Sequence, residues 1–135
     1  MIRKRYISLA LLSFFLIGCS LFGNGLINGG VKSIRIYESM GFATKVSDNV
    51  FIELTEEEEI EIFKNAINSA VQQPGVVDMM DPNYDVKLIF DDRPTKEFYL
   101  WLNDSSGSVM AVEDTHTVYS ISEKNAEKLY EILEE

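Results

Sequence analysis

A single cysteine, Cys19, and a single histidine, His116, bound the chemistry open to this chain. These counts cannot supply a zinc site built from the usual cysteine and histidine ligands. A nucleophile–base pair needs an activated nucleophile and a third group that orients the base. His116 stands in Glu113-Asp114-Thr115-His116-Thr117. Asp114 is positioned to pair with it, but the nearby hydroxyls are ordinary turn residues, and a solvated loop histidine is the simpler reading. Dinucleotide and P-loop fingerprints are absent. The sequence thus predicts no catalytic residue, no cofactor and no enzymatic activity.

Carboxylates are the next resource, with 22 Asp plus Glu against 12 Lys plus Arg. Asp81-Pro82-Asn83-Tyr84-Asp85 begins like a calcium loop. Such a loop needs glycine at its sixth position and glutamate at its twelfth; here these are Val86 and Asp92. A weak cation site from Asp78, Asp81, Asn83 and Asp85 survives as a candidate, beside the plainer reading of a turn feeding a strand. Asp91, Asp92, Asp104, Glu113 and Asp114 all fall in loops. A small envelope hydrolase built on such carboxylates is the alternative function. No apolar surroundings raise their pKa in the sequence pattern, so solvated loops are expected.

The aromatic chemistry is more distinctive. In Lys96–Leu102 (KEFYLWL), Phe98, Leu100 and Leu102 alternate with Glu97, Tyr99 and Trp101. If helices cover the first set, Tyr99 and Trp101 lie on the open side of the sheet, with Ile89 and Tyr119 as further members. Exposed aromatic patches mark contacts with proteins or ligands. The competing reading is coverage by the Phe42–Asp48 segment.

Cys19 closes a leader of a particular form. Arg3, Lys4 and Arg5 precede an apolar run from Tyr6 to Ile17, too short for a bilayer span of about 20 residues. This is the pattern of a secretory signal, and Leu16-Ile17-Gly18-Cys19 resembles a bacterial lipobox. That resemblance implies removal of residues 1–18 and a diacylglyceryl group on the Cys19 sulfur. Two acyl chains anchor stably where one is marginal. Three of the 12 basic residues precede Cys19, leaving 9 against 22 acidic ones, a net charge of −13. Such a surface repels nucleic acid and anionic lipid. With its thiol acylated the chain has no disulfide, so packing alone must stabilise one domain.

The elements that would position these groups follow in order. Ser20–Gly30, with four glycines, reads as a flexible tether, contact of its apolar Leu21, Phe22, Leu26 and Ile27 with the membrane surface or the domain being the alternative. This gives 19–30 as lipidated cysteine and tether and 31–135 as a single domain. Val31–Glu38 and Val50–Leu54 read as strands. Thr55-x-x-Glu58 matches a capping box. A helix with Ile60, Phe63, Ile67 and Ala70 on its core side, flanked by Val71, is expected to run to Pro74-Gly75. Strands are predicted over Asp85–Phe90, Lys96–Leu102, Ser108–Val112 and Val118–Ile121, then a helix capped by Ser122 with Ala126, Leu129, Tyr130 and Leu133 inward. The fold class expected is α+β, a two-layer sandwich with two amphipathic helices on one face of an antiparallel sheet.

The blocks DPNYDVKLIF, FYLWLNDSSGSVM and DTHTVYSI resemble the small YhfM-like lipoprotein domain of spore-forming Gram-positive bacteria. The resemblance covers about residues 31–134 and rests on Pro82, Tyr84, Tyr99, Trp101, Leu102, Gly107, Thr117 and Tyr119. It implies one domain on the outer face of the cell membrane and brings no catalytic or binding residues. The expected function is a membrane-anchored extracytoplasmic lipoprotein, a monomeric binding module for an envelope protein, peptide or cell-wall component. A structural or cation-binding surface protein is a further alternative.

Overall fold

The computed structural model describes residues 25–42, 50–74 and 79–134. The leader, Cys19 and Asp78 lie outside the described residues, as does the Phe42–Asp48 segment beyond Phe42. The elements run β1 (Val31–Glu38), β2 (Val50–Leu54), α1 (Glu57–Asn68), β3 (Val71–Gln72), β4 (Tyr84–Phe90), β5 (Lys96–Leu102), β6 (Gly107–Ala111), β7 (Tyr119–Ile121) and α2 (Glu123–Leu133). The strands form one sheet in the order β2-β1-β4-β5-β6-β7-β3, every neighbour antiparallel. Both helices pack on one face. The predicted two-layer α+β architecture is the one observed.

Register explains the layering. Ile34 lies opposite Leu88, Ile36 opposite Val86, and Val86 opposite Phe98. The two-residue period of a strand puts all of them on the helix side. There they form one core with Phe63 and Ile67 of α1 and Ala126 and Leu129 of α2. Each large side chain so buried contributes roughly 1.5–3 kcal/mol. The other face carries Arg35, Tyr37, Asp85, Lys87, Glu97 and Tyr99. Here Lys87 Nζ meets Glu97 across the strands at 3.5 Å, and Arg35 meets Glu53 at 3.7 Å. Both pairs are partly solvated and contribute at most about 1 kcal/mol each.

Three expectations are corrected. The first concerns the start of α1: its N-cap is Glu56, with no side-chain cap bond, so Thr55 lies outside the helix and the capping box does not form. Glu57, Glu58 and Glu59 in the first turn instead favour the helix dipole.

The second concerns its end. The helix stops at Asn68, well before Pro74. The Ser69 hydroxyl donates to the Asn65 carbonyl at 2.6 Å, and the backbone then turns to pair with β7 as β3. The Gln73 N–H donates to the Val118 carbonyl at 2.8 Å. Val71 is therefore exposed rather than part of the helix stripe.

The third concerns the N-terminal segment. Residues 25–30 form a strap clamped to the domain, not a free tether. Ile27 is 2% exposed and belongs to the core. Lys96 Nζ donates to the Leu26 carbonyl at 2.6 Å, Arg93 Nη1 to Asn28 at 2.9 Å and Lys64 Nζ to Gly29 at 3.3 Å.

Helix α2 begins as expected, with Ser122 Oγ accepting from the Asn125 N–H at 3.2 Å. It returns across the sheet toward β4, where Tyr84 donates its hydroxyl to Glu134 at 3.0 Å. Burial first, and then the Glu134 carboxylate, push the Tyr84 phenol up to about 12.

Candidate binding site on the uncovered face of the sheet

The strands have two ends, and the candidate residues gather at one. At the far end, β1 leaves at Glu38, β4 enters at Tyr84, and the 103–106 turn joins β5 to β6. Tyr99 lies opposite Asp85 on one side and Met110 on the other; Trp101 lies opposite Ser108. All of these share the face opposite the two described helices.

The chain after β1 folds back over them. Ser39 Oγ accepts from the Gly41 N–H at 3.1 Å. Gly41 takes a φ of 102°, a conformation that suits glycine. The turn delivers Phe42 onto Tyr99, ring centroids 5.2 Å apart and edge to face, and onto Trp101 at 5.7 Å. Such pairs add about 0.5–1.5 kcal/mol beyond the area they bury. Tyr99 and Trp101 remain half-buried under Phe42 rather than enclosed.

Beside Trp101 is a groove of about 310 Å³. Trp101, Leu102 and Met80 supply apolar wall, and Asp81, Asn83, Asn103, Ser106 and Ser108 supply amide, carboxylate and hydroxyl groups. Trp101 Nε1 donates to the Met80 carbonyl at 2.8 Å, pinning the incoming loop to β5. Asn83 Oδ1 accepts from the Leu102 N–H at 2.9 Å. Asn103 Oδ1 gathers the Ser105 and Ser106 N–H groups at 3.0 and 2.8 Å, winding the 103–106 turn tightly. Sequence patterning identified this turn and Trp101 separately. Their meeting depends on the β5–β6 pairing, which periodicity does not report.

Asp85 is the unusual polar group. It is 7% exposed, and its Oδ1 is buried without a hydrogen-bond partner. Desolvation raises its pKa, and Glu97 adds to the rise; the Ser39 hydrogen bond and Lys87 oppose it. Ser39 thus links the Asp85 carboxyl to the Gly41 turn that places Phe42.

The predicted patch of Tyr99, Trp101, Tyr119 and Ile89 is only partly assembled. Tyr119 lies opposite Val109, which lies opposite Leu100, so its register puts it on the helix side against the core. Ile89 shares the face of Tyr99 but lies four residues along β4 from Asp85, opposite Ser33 near the other end. Phe42 takes the place foreseen for them.

Asp78 of the cation candidate lies outside the described residues, and of its described members Asn83 and Asp85 are engaged elsewhere. Asn83 Oδ1 is spent on Leu102, and Asp85 is held on the sheet by Ser39. Among the described residues no three His, Cys, Asp or Glu side chains are grouped to hold a metal.

The loop carboxylates proposed for hydrolysis are exposed and dispersed. Asp91 faces Lys32 at 3.9 Å and Asp92 faces Arg93 at 3.2 Å. Asp114 accepts from the backbone N–H of His116 at 3.2 Å, an Asx turn rather than a pairing with the imidazole.

With this geometry in hand, comparison with known proteins adds three findings. A family model described as YhfM protein matches residues 36–135. Among solved structures, a thioesterase-like protein from Clostridium sporogenes ATCC 15579 superposes with a TM-score of 0.56. Identity is 17%, over 76% of this chain and 93% of that one, a likeness of fold alone. No curated protein matches the chain.

Proposed function

The chain belongs to the YhfM family, and we propose that it acts as a non-enzymatic binding module, lipid-anchored through Cys19 on the outer face of the cell membrane. The carrying observation is the far-end site: Trp101, Tyr99 and Phe42 beside a groove lined by amide and hydroxyl groups. A few polar groups around an apolar platform suit a ligand that is part apolar and part hydrogen-bonding. A cell-wall peptide or glycan has that character. The lipobox supports location in the envelope.

Trp101 is the only tryptophan, so its emission reports on the site directly. Titration with soluble peptidoglycan fragments is expected to shift that emission saturably. Calorimetry on Trp101→Ala is expected to show at least about a tenfold loss of affinity, the scale for truncating an aromatic anchor. Undisturbed emission across a fragment panel, with no binding heat, would overturn the reading.

A second reading, hydrolysis of an acyl ester or thioester, rests on Asp85 together with the thioesterase-like fold. A buried carboxyl with a raised pKa is the kind of group that can serve as general acid or base. Turnover of short acyl-thioesters, abolished in Asp85→Asn, would favour it over the binding role.

A further inference from the structure

The strap and the groove occupy opposite ends of the same strands. The strap is clamped where β5 begins, by Lys96 and Arg93 beside the 91–95 turn. The groove lies where β5 ends, at Trp101 and Asn103. Thr95 and Trp101 are six residues apart along an extended strand, about 20 Å. From Cys19 to Gly25 the chain has six peptide steps, a reach of at most about 21 Å. An anchor at Cys19 therefore joins the head at its strap end and keeps that end within about 21 Å of the bilayer.

Charge acts in the same direction. Lys64, Arg93 and Lys96, three of the nine basic residues beyond Cys19, donate to strap carbonyls, and Lys32 follows the strap at the start of β1. Their neighbours Glu61, Asp91 and Asp92 only partly neutralise them. At the groove the charged lining residue is Asp81, and Asp104 follows the lining residue Asn103 in the turn. The cations on the strap lessen the repulsion between this acidic head and an anionic bilayer at the point of attachment, within a Debye length of about 8 Å.

We propose that the head stands on the membrane by its strap end, with the Trp101 groove facing away from the lipid, so that its ligand is a water-borne or wall-borne molecule and not a bilayer lipid. This rests on the anchor at Cys19 proposed above. The acylated protein, purified from its own membranes, is reconstituted into phosphatidylcholine–phosphatidylglycerol vesicles carrying a dansyl-headgroup lipid. Flotation with the vesicles tests the anchor. Energy transfer from tryptophan to dansyl tests the orientation.

Transfer from native Trp101 is expected to be severalfold weaker than from a tryptophan at the strap end, in Thr95→Trp combined with Trp101→Phe. Thr95→Trp with Trp101 retained gives the same comparison where the double variant does not fold. Flotation with equal or stronger transfer from Trp101 overturns the orientation and leaves the anchor standing. Failure to float overturns the anchor, and the orientation with it.

Discussion

Asn68 holds Ile27 from both sides. Its Oδ1 accepts from the Ile27 N–H at 2.8 Å, and its Nδ2 donates to the Ile27 carbonyl at 3.0 Å. A side-chain amide thereby imitates a strand partner for a single residue. The last turn of α1 is joined to a segment 41 residues earlier, and an otherwise unpaired backbone is admitted to the core. Loss of one partner strands a part-buried polar group, at a cost of about 1–3 kcal/mol. Asn68→Ala is expected to lower stability by that amount in urea unfolding. Asn68→Asp, which keeps the acceptor and loses the donor, should fall between it and the native chain.

Gly29 shows why the strap is glycine-rich. Its φ is 91°, and a Cβ there would stand 2.6 Å from the Arg93 guanidinium. Gly29→Ala is expected to cost about 1–2 kcal/mol for the left-handed backbone alone, and more as Arg93 is displaced from the Asn28 carbonyl. In combination with Arg93→Ala the two losses should be less than additive, because they share one contact. Thermal unfolding of the two single variants and the double variant measures this.

Asp85 makes stability depend on pH in an unusual direction for a carboxylate. Its pKa is raised on folding, mainly by burial, so the native state holds the proton more tightly than the unfolded chain. The contribution of Asp85 to stability is then greatest below the ordinary carboxylate range near about 4 and falls as pH rises from there through the folded-state pKa. Asp85→Asn removes this dependence while keeping an acceptor for Ser39. Its melting temperature is expected to equal or exceed that of the native chain at pH 7, and the difference should shrink toward pH 4. A fixed difference across that range would show that Asp85 is not the titrating group.

The helix starts provide a matched pair. Ser122→Ala removes a cap bond seen in the structure and is expected to cost about 1 kcal/mol. Thr55→Ala removes a residue that resembles a cap in sequence but makes no cap bond, and should lie within about 0.5 kcal/mol of native. Chemical denaturation of both variants tests the assignment.

Local patterns determined much of this protein. Alternation along KEFYLWL and DVKLIF, and the three- and four-residue spacing of Ile60, Phe63 and Ile67, specified strands, helix and core faces, because each period is a property of a few consecutive bonds. The two-layer α+β arrangement followed from having two one-sided helices and several strands with tight turns. The rest was decided by groups brought together from distant parts of the chain. Tyr119 looked like a partner for Trp101 until register placed it on the opposite face. Residues 25–30 looked like a tether because glycine and asparagine usually mark irregular backbone, and only Asn68, Lys96, Arg93 and Lys64 meeting their carbonyls give that backbone a fixed place. Asp85 looked like a solvated cation ligand at the start of a strand until two neighbouring strands and Ser39 removed it from water. Period is encoded within a segment; register, burial and hydrogen-bond partners across 41 or 70 residues exist only after the chain has closed on itself.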